Sequence, residues 1–218
     1  MKKQNKWILS FLFLFLLSFL LIGCTSQDEL RRLDLMIQDG IQTTDNLDNI
    51  SDEDLSETSV TTLSLSTYES QVMEMEFALL LTPSEKITQI RELHALILET
   101  HLSIADAKAT LRISHQDLKN QITIFRESEQ TLSEEDKTQL ELLISEVKEI
   151  NVVLKGTIGF AYRQMRDLRG MYQIENLDLI LDTYKDVLDV LELRLTSIER
   201  INEILMEANE IIAGYLET

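Results

Sequence analysis

Few of the residues that usually mark chemistry are present in this chain. It has one cysteine, Cys24, which excludes an intrachain disulfide and any metal site built from several thiolates. It has one proline and six glycines in 218 residues. Neither type occurs between Ser84 and Lys155 or between Met171 and Ala213, which excludes the turn-rich sandwiches and barrels over those stretches. The single tryptophan is Trp7, so the rest of the chain has none. Bases are scarce: 20 Lys and Arg face 38 Asp and Glu, for a net charge of −18. A nucleic-acid binder needs a basic footprint, and flat adsorption on anionic lipid needs clustered Lys and Arg. Nucleic acid is therefore not an expected partner. No nucleophile-elbow motif, phosphate loop or His-Glu metal helix is found. Acids scattered over polar helix faces do not make an acid–base pair, so the expectation is a protein without enzymatic activity, cofactor or metal.

The N-terminus is different. Lys2, Lys3 and Lys6 precede an apolar run from Ile8 to Ile22, broken by Ser10 and Ser18. That run is shorter than the ~20 residues of a spanning helix and suits a secretory segment. It ends in Leu21-Ile22-Gly23-Cys24. Over Met1–Cys24 the chain resembles the signal of bacterial lipoproteins. The resemblance implies cleavage between Gly23 and Cys24, removal of residues 1–23, and acyl chains such as palmitate carried through the Cys24 sulfur. The expected location is the cell membrane, lipid-anchored on its extracytoplasmic face. One acyl chain binds a bilayer marginally, at ~0.8 kcal/mol per buried methylene, and two anchor it stably.

Beyond Cys24, apolar residues recur at three- and four-residue spacing, which predicts an all-α fold: an elongated antiparallel helical bundle of long, coiled-coil-like helices. Thr82-Pro83-Ser84-Glu85 reads as a capping box with proline at the first helical position. Ser133-Glu134-Glu135-Asp136 reads as a second start, and Gly170 after Arg169 as a stop. The expected helices are 83–129, 134–169 and 171–213. An earlier one ends near Leu81 with Leu65, Tyr68, Val72, Met75 and Leu79 on its buried face. Ahead of the bundle, a membrane-proximal amphipathic segment carries Leu30, Leu33, Ile37 and Ile41. The expected division is a signal at 1–23, the lipidated cysteine and proximal helix at 24–50, an acidic linker or weak helix at 51–64, and the bundle at 65–218.

Seven-residue columns support long packed helices. One runs Ile90, Ile97, Ile104, Leu111, Leu118, Phe125, beside Leu93, Thr100, Ala107, Ser114. In the last helix they run Ile174, Leu181, Leu188, Leu195 and Leu177, Tyr184, Leu191, Ile198, Leu205, Ile212.

Five features carry functional expectations. Residues 33–85 hold 12 acids and no Lys or Arg, densest from Asp45 to Glu57; this reads as a solvated linker, the alternatives being a weak cation site or a patch for a basic partner. The EF-hand spacing is not met. His94, His101 and His115 share one column with Lys108. Successive members stand ~10.5 Å apart, too far to share a metal from one helix, so they read as edge residues or as a pH-responsive helix contact. Asn202 and Asn209 continue the column Leu181–Leu195 and either set register or face water. Tyr162, Arg163, Arg166, Arg169 and Tyr172 form a cationic-aromatic cluster, read as complementing a helix end or as an anion site. Gly156 and Gly159 precede it within a helical pattern, where each costs ~1 kcal/mol; a bend or close packing is expected.

Finally, the apolar columns of the last helix outrun their expected cover beyond about Ile198. Asn202, Leu205, Asn209 and Ile212 are thus the expected interaction surface, to be covered by the N-terminal segment, a second copy or another envelope protein. Two functions are open on these grounds. One is a lipid-anchored interaction or scaffold module with a protein partner or homo-oligomeric state. The other is a sensor or small-ligand-binding bundle at the membrane surface.

Overall fold

A computed structural model describes residues 28–47 and 82–216. The signal, Cys24, all of the acidic stretch beyond Leu47 and the helix expected to end near Leu81 lie outside the described residues. What is described is all-α, with long helices packed as bundles and no strand among the described residues. Its elements are α1 (28–45), α2 (Pro83–Glu127), α3 (Glu134–Gly156), α4 (Phe160–Asp167), a 3-10 turn (Ile174–Asn176) and α5 (Leu177–Leu216).

The helix starts follow from capping chemistry. The Thr82 N–H and hydroxyl both donate to Glu85 Oε2, at 2.6 and 2.9 Å, and the Glu85 N–H donates to Thr82 Oγ1 at 3.3 Å. Two donors that a helix N-terminus leaves open are thereby filled reciprocally. At α3, the Ser133 hydroxyl donates to Asp136 Oδ2 at 2.5 Å and the Asp136 N–H donates to Ser133 Oγ at 3.1 Å. Between these helices Glu129 takes a left-handed φ of 57°, which turns the chain.

The helix expected over 134–169 is two helices. Gly159 has φ 74°, in the region that glycine enters without strain. Just before it, the Thr157 hydroxyl donates to Leu154 O at 2.8 Å. Gly156 has open space where a Cβ would sit, so the bend belongs to Gly159. Gly170, at φ 82°, stops the chain as expected. The last helix begins at Leu177 rather than Met171, after the 3-10 turn, and the Asn176 side-chain amide donates to Met171 O at 3.0 Å.

The chain divides into two compact units, the first being residues 28–42, 110–152 and 200–216. In it Asp34 of α1 meets His115 of α2, while Asp28, Arg31, Asp34, Leu35 and Arg126 line a groove of about 360 Å³, so α1 and α2 run oppositely. Tyr215 near the end of α5 bonds to Ser133 and Asp136 at the start of α3, so these two are antiparallel as well. The expected place of the segment carrying α1 is ahead of the bundle. The structure corrects this: Leu30, Leu33 and Ile37 are fully buried, and α1 is a member of this unit.

The second unit comprises residues 43–47, 82–109 and 153–199. Lys86 and Asp178 pair at 2.6 Å and the His94 and Tyr184 rings lie 6.2 Å apart, so α2 and α5 run in the same direction here. Thr157 meets Arg194, and the hydroxyls of Tyr172 and Tyr184 lie 3.2 Å apart, so the stretch containing α4 runs against α5.

Along α5 the expected column from Leu177 to Ile212 is buried throughout. The other expected column is core only in its middle: Leu181 and Leu188 are buried, Ile174 is exposed and Leu195 half-buried. The second core line is Ile180, Val187, Arg194, Ile201, Ala208.

Candidate functional site

Leu205 and Ile212 are fully buried, as is Ile201. Asn202 and Asn209 are half-buried on the shoulder. Of the expected interaction surface at the end of α5, Leu205 and Ile212 are therefore core. The apolar stripe that outran its expected cover is enclosed within the first unit, to which α1 belongs. A Cβ added at Gly40 would lie 3.5 Å from Ile201 Cδ1. Of the three candidate covers, the N-terminal segment is the one found.

Arginines of the cationic-aromatic cluster lie on exposed ground. Arg163, Arg166 and Arg169 are exposed. Arg166 sits 5.7 Å from the Tyr162 ring centroid and pairs with Asp167 at 3.3 Å. Tyr172 turns away to Tyr184. The Arg166 contacts stay within the short helix α4, and Tyr172 lies beyond its end.

Rather than edge residues, His94 and His115 are inward-facing. His94 is buried against Tyr184, and burial pushes the Tyr184 hydroxyl far above its ordinary value. His115 is buried and its Nε2 stands 2.8 Å from Asp34 Oδ1. At these two positions the histidine rings contact neighbouring helices rather than lying at the edge.

Sequence reasoning missed Arg194, which is 1% exposed and the largest of the fully buried side chains. Its Nε donates to Thr157 Oγ1 at 3.0 Å and its Nη2 to Thr157 O. A buried guanidinium is tolerated only when its donors are filled, and here part of that duty falls on the backbone freed where α3 ends. The signal was in the sequence: an arginine in an otherwise apolar seven-residue line between Val187 and Ile201. Arg194 also lines a cavity of about 70 Å³ with Leu47, His101, Ile104, Ala105, Lys108 and Leu191. Three basic side chains, His101, Lys108 and Arg194, thus line one small cavity of this acidic chain.

Charge in the first unit is organised differently. The Arg200 Nε and Nη2 donate to the two Glu146 oxygens at 2.7 and 3.0 Å, and its Nη1 to Glu203 and Glu207. Hydrogen bonding from Arg200 holds the Glu146 carboxyl below the usual carboxylate range. Burial, with the nearby Glu141 charge, pushes the Glu29 carboxyl above it. Among the described residues there is no group of His, Cys, Asp and Glu able to hold a metal ion, and no helix long and apolar enough to cross a membrane. Comparison with protein-family models, curated proteins and solved structures returned no significant match.

Proposed function

We propose that this protein is a lipid-anchored, extracytoplasmic helical module that acts by protein interaction, as a scaffold at the bacterial cell membrane. The observation carrying the reading is Leu21-Ile22-Gly23-Cys24 behind a basic start and an apolar run. A second observation supports it: Leu30 of α1 is already fully buried. Three residues separate Cys24 from Asp28, and the four steps of chain between them, at ~3.6 Å each, reach ~14 Å at most. An acylated Cys24 would thus hold the first unit within headgroup range of the bilayer, a placement suited to a scaffold. Cys24→Ser tests the anchor: the precursor should accumulate uncleaved and fatty-acid label should vanish. Label retained by the variant refutes the assignment. Pull-down of the anchored protein from envelope membranes tests the interaction role.

The runner-up is a sensor that takes up a small anion, favoured by the cavity among His101, Lys108 and Arg194. Native mass spectrometry of the purified chain in phosphate separates the two. A stoichiometric adduct lost on Lys108→Gln supports the sensor, and a bare mass argues against it.

A further inference from the structure

The groove of the first unit has charged walls, and its charges do not all answer one another. Asp28, Arg31, Asp34 and Leu35 of α1 and Arg126 of α2 enclose about 360 Å³, a volume in the range of small-ligand sites. All five residues belong to the one compact unit. Spacings of three and four set the four α1 residues on one stripe of that helix. Asp34 is engaged, its Oδ1 lying 2.8 Å from His115 Nε2. The guanidinium groups of Arg31 and Arg126 have no ion-pair or hydrogen-bond partner among the described residues. With 38 Asp and Glu against 20 Lys and Arg, acids are not scarce in this chain. Two arginines from different helices are nevertheless left to one groove.

Guanidinium is a planar, permanently charged fork whose donors match a phosphate. With Asp34 taken up by His115, the groove offers two such forks and one further carboxylate, Asp28. That set suits a phosphodiester that also carries a hydrogen-bond donor. The phosphate meets Arg31 and Arg126, and Asp28 accepts from a hydroxyl or ammonium group. Glycerophospholipid headgroups carry this pair of groups. Register puts the groove where such headgroups lie. Arg126 stands eleven residues beyond His115, ~16 Å along α2, and Asp28 six residues before Asp34, ~9 Å along α1. Because α1 and α2 run oppositely, Arg126 stands at the end of the groove nearer Cys24. Asp28 is itself within ~14 Å of that cysteine. Flat adsorption would need a polybasic surface; one headgroup in one groove needs only these two arginines.

We propose that the groove between the start of α1 and the end of α2 binds the phosphate of one bilayer glycerophospholipid, gripped by Arg31 and Arg126. The phosphate chemistry rests on the groove, and a lipid as its source rests also on the anchor reading.

The test is native mass spectrometry of the full chain, extracted from its own membranes in mild nonionic detergent and titrated with phosphatidylglycerol. One noncovalent lipid per chain is expected. Arg31→Gln with Arg126→Gln should weaken its binding about tenfold or more. Both arginines are exposed, so far-UV circular dichroism should stay unchanged. Arg32→Gln is the control: Arg32 is the next residue along and equally charged, but it does not line the groove, and its charge acts on Glu29. Attraction by charge alone would fall with either arginine. Equal loss in the control, or an adduct indifferent to the arginine pair, overturns the proposal. The wild-type chain should also surrender the lipid to excess glycerophosphoglycerol, the same headgroup without acyl chains; failure of that competition overturns headgroup recognition without recourse to any variant. An arginine-sensitive adduct with inorganic phosphate and none with the lipid overturns the lipid as ligand. Fatty-acid labelling of the same cells reports the anchor separately. Label without an adduct removes the groove site and leaves the anchor; an arginine-sensitive adduct without label removes the anchor and leaves the groove site.

Discussion

Gly40 occupies the interior of α1, where alanine would ordinarily be ~1 kcal/mol better. The structure reverses that expectation. A Cβ at this position would stand 2.7 Å from Asn151 Oδ1, closer than real contacts allow. Asn151 is 2% exposed, and its Nδ2 donates to Met36 O at 2.9 Å. It can yield only by giving up that bond, worth ~1 kcal/mol net, and by moving within a packed core, where overpacking costs ~1–3 kcal/mol. Set against the propensity gain, Gly40→Ala should destabilise the protein by about 1–3 kcal/mol, or ~2–4 °C in Tm per kcal/mol for a chain of this size. The sign should flip when the obstacle is removed: in an Asn151→Ala background, Gly40→Ala should be neutral or stabilising by up to ~1 kcal/mol. Equilibrium urea unfolding of the four proteins, read by circular dichroism, measures the coupling. If Gly40→Ala alone stabilises and the two substitutions are additive, α1 is not held against α3 through this contact and the account of its docking is wrong.

Other perturbations test other parts of the fold. Leu205→Ser and Ile212→Ser, which an interaction surface at this place would tolerate, should each cost roughly 2–5 kcal/mol because both sites are sealed core; retained stability in thermal melts would return these residues to the surface. Two carboxylates should act on acid stability with opposite sign. Glu146 is held low by Arg200, so its contribution is complete above the unfolded carboxylate value of ~4.3 and lost as pH falls through its folded value. Glu29 is raised by burial, so its contribution is complete below ~4.3 and lost as pH rises through its folded value. Arg200→Gln should flatten the first dependence, and Glu29→Gln should raise stability at neutral pH; urea midpoints across a pH series that fail to move in these directions refute the assignments. Tyr215→Phe removes the hydroxyl that accepts from the Ser133 N–H and donates to Asp136. It should cost ~1 kcal/mol or slightly more and speed amide exchange at Ser133, and unchanged exchange there would deny the tie between α5 and the start of α3.

What the sequence made legible was chiefly local. Thr82, Glu85, Ser133 and Asp136 announce their caps because capping needs particular side chains at fixed offsets, and Gly170 announces a stop. Fold class was legible for the same reason, since spacings of three and four persist across long stretches. The break at Gly159 was half legible: the glycine was visible, but Arg194, thirty-five residues later, completes the break by bonding Thr157. Burial at the end of α5 was not legible. Nothing in Leu205 or Ile212 says that α1 belongs to the same unit, because the pattern of an amphipathic helix shows that a face will be covered and not by what. Arg194 was overlooked because three neighbouring columns of α5 are rich in apolar residues, and the apolar content of the Ile174–Leu195 column, buried at Leu181 and Leu188, drew attention from the line through Ile180, Val187 and Ile201.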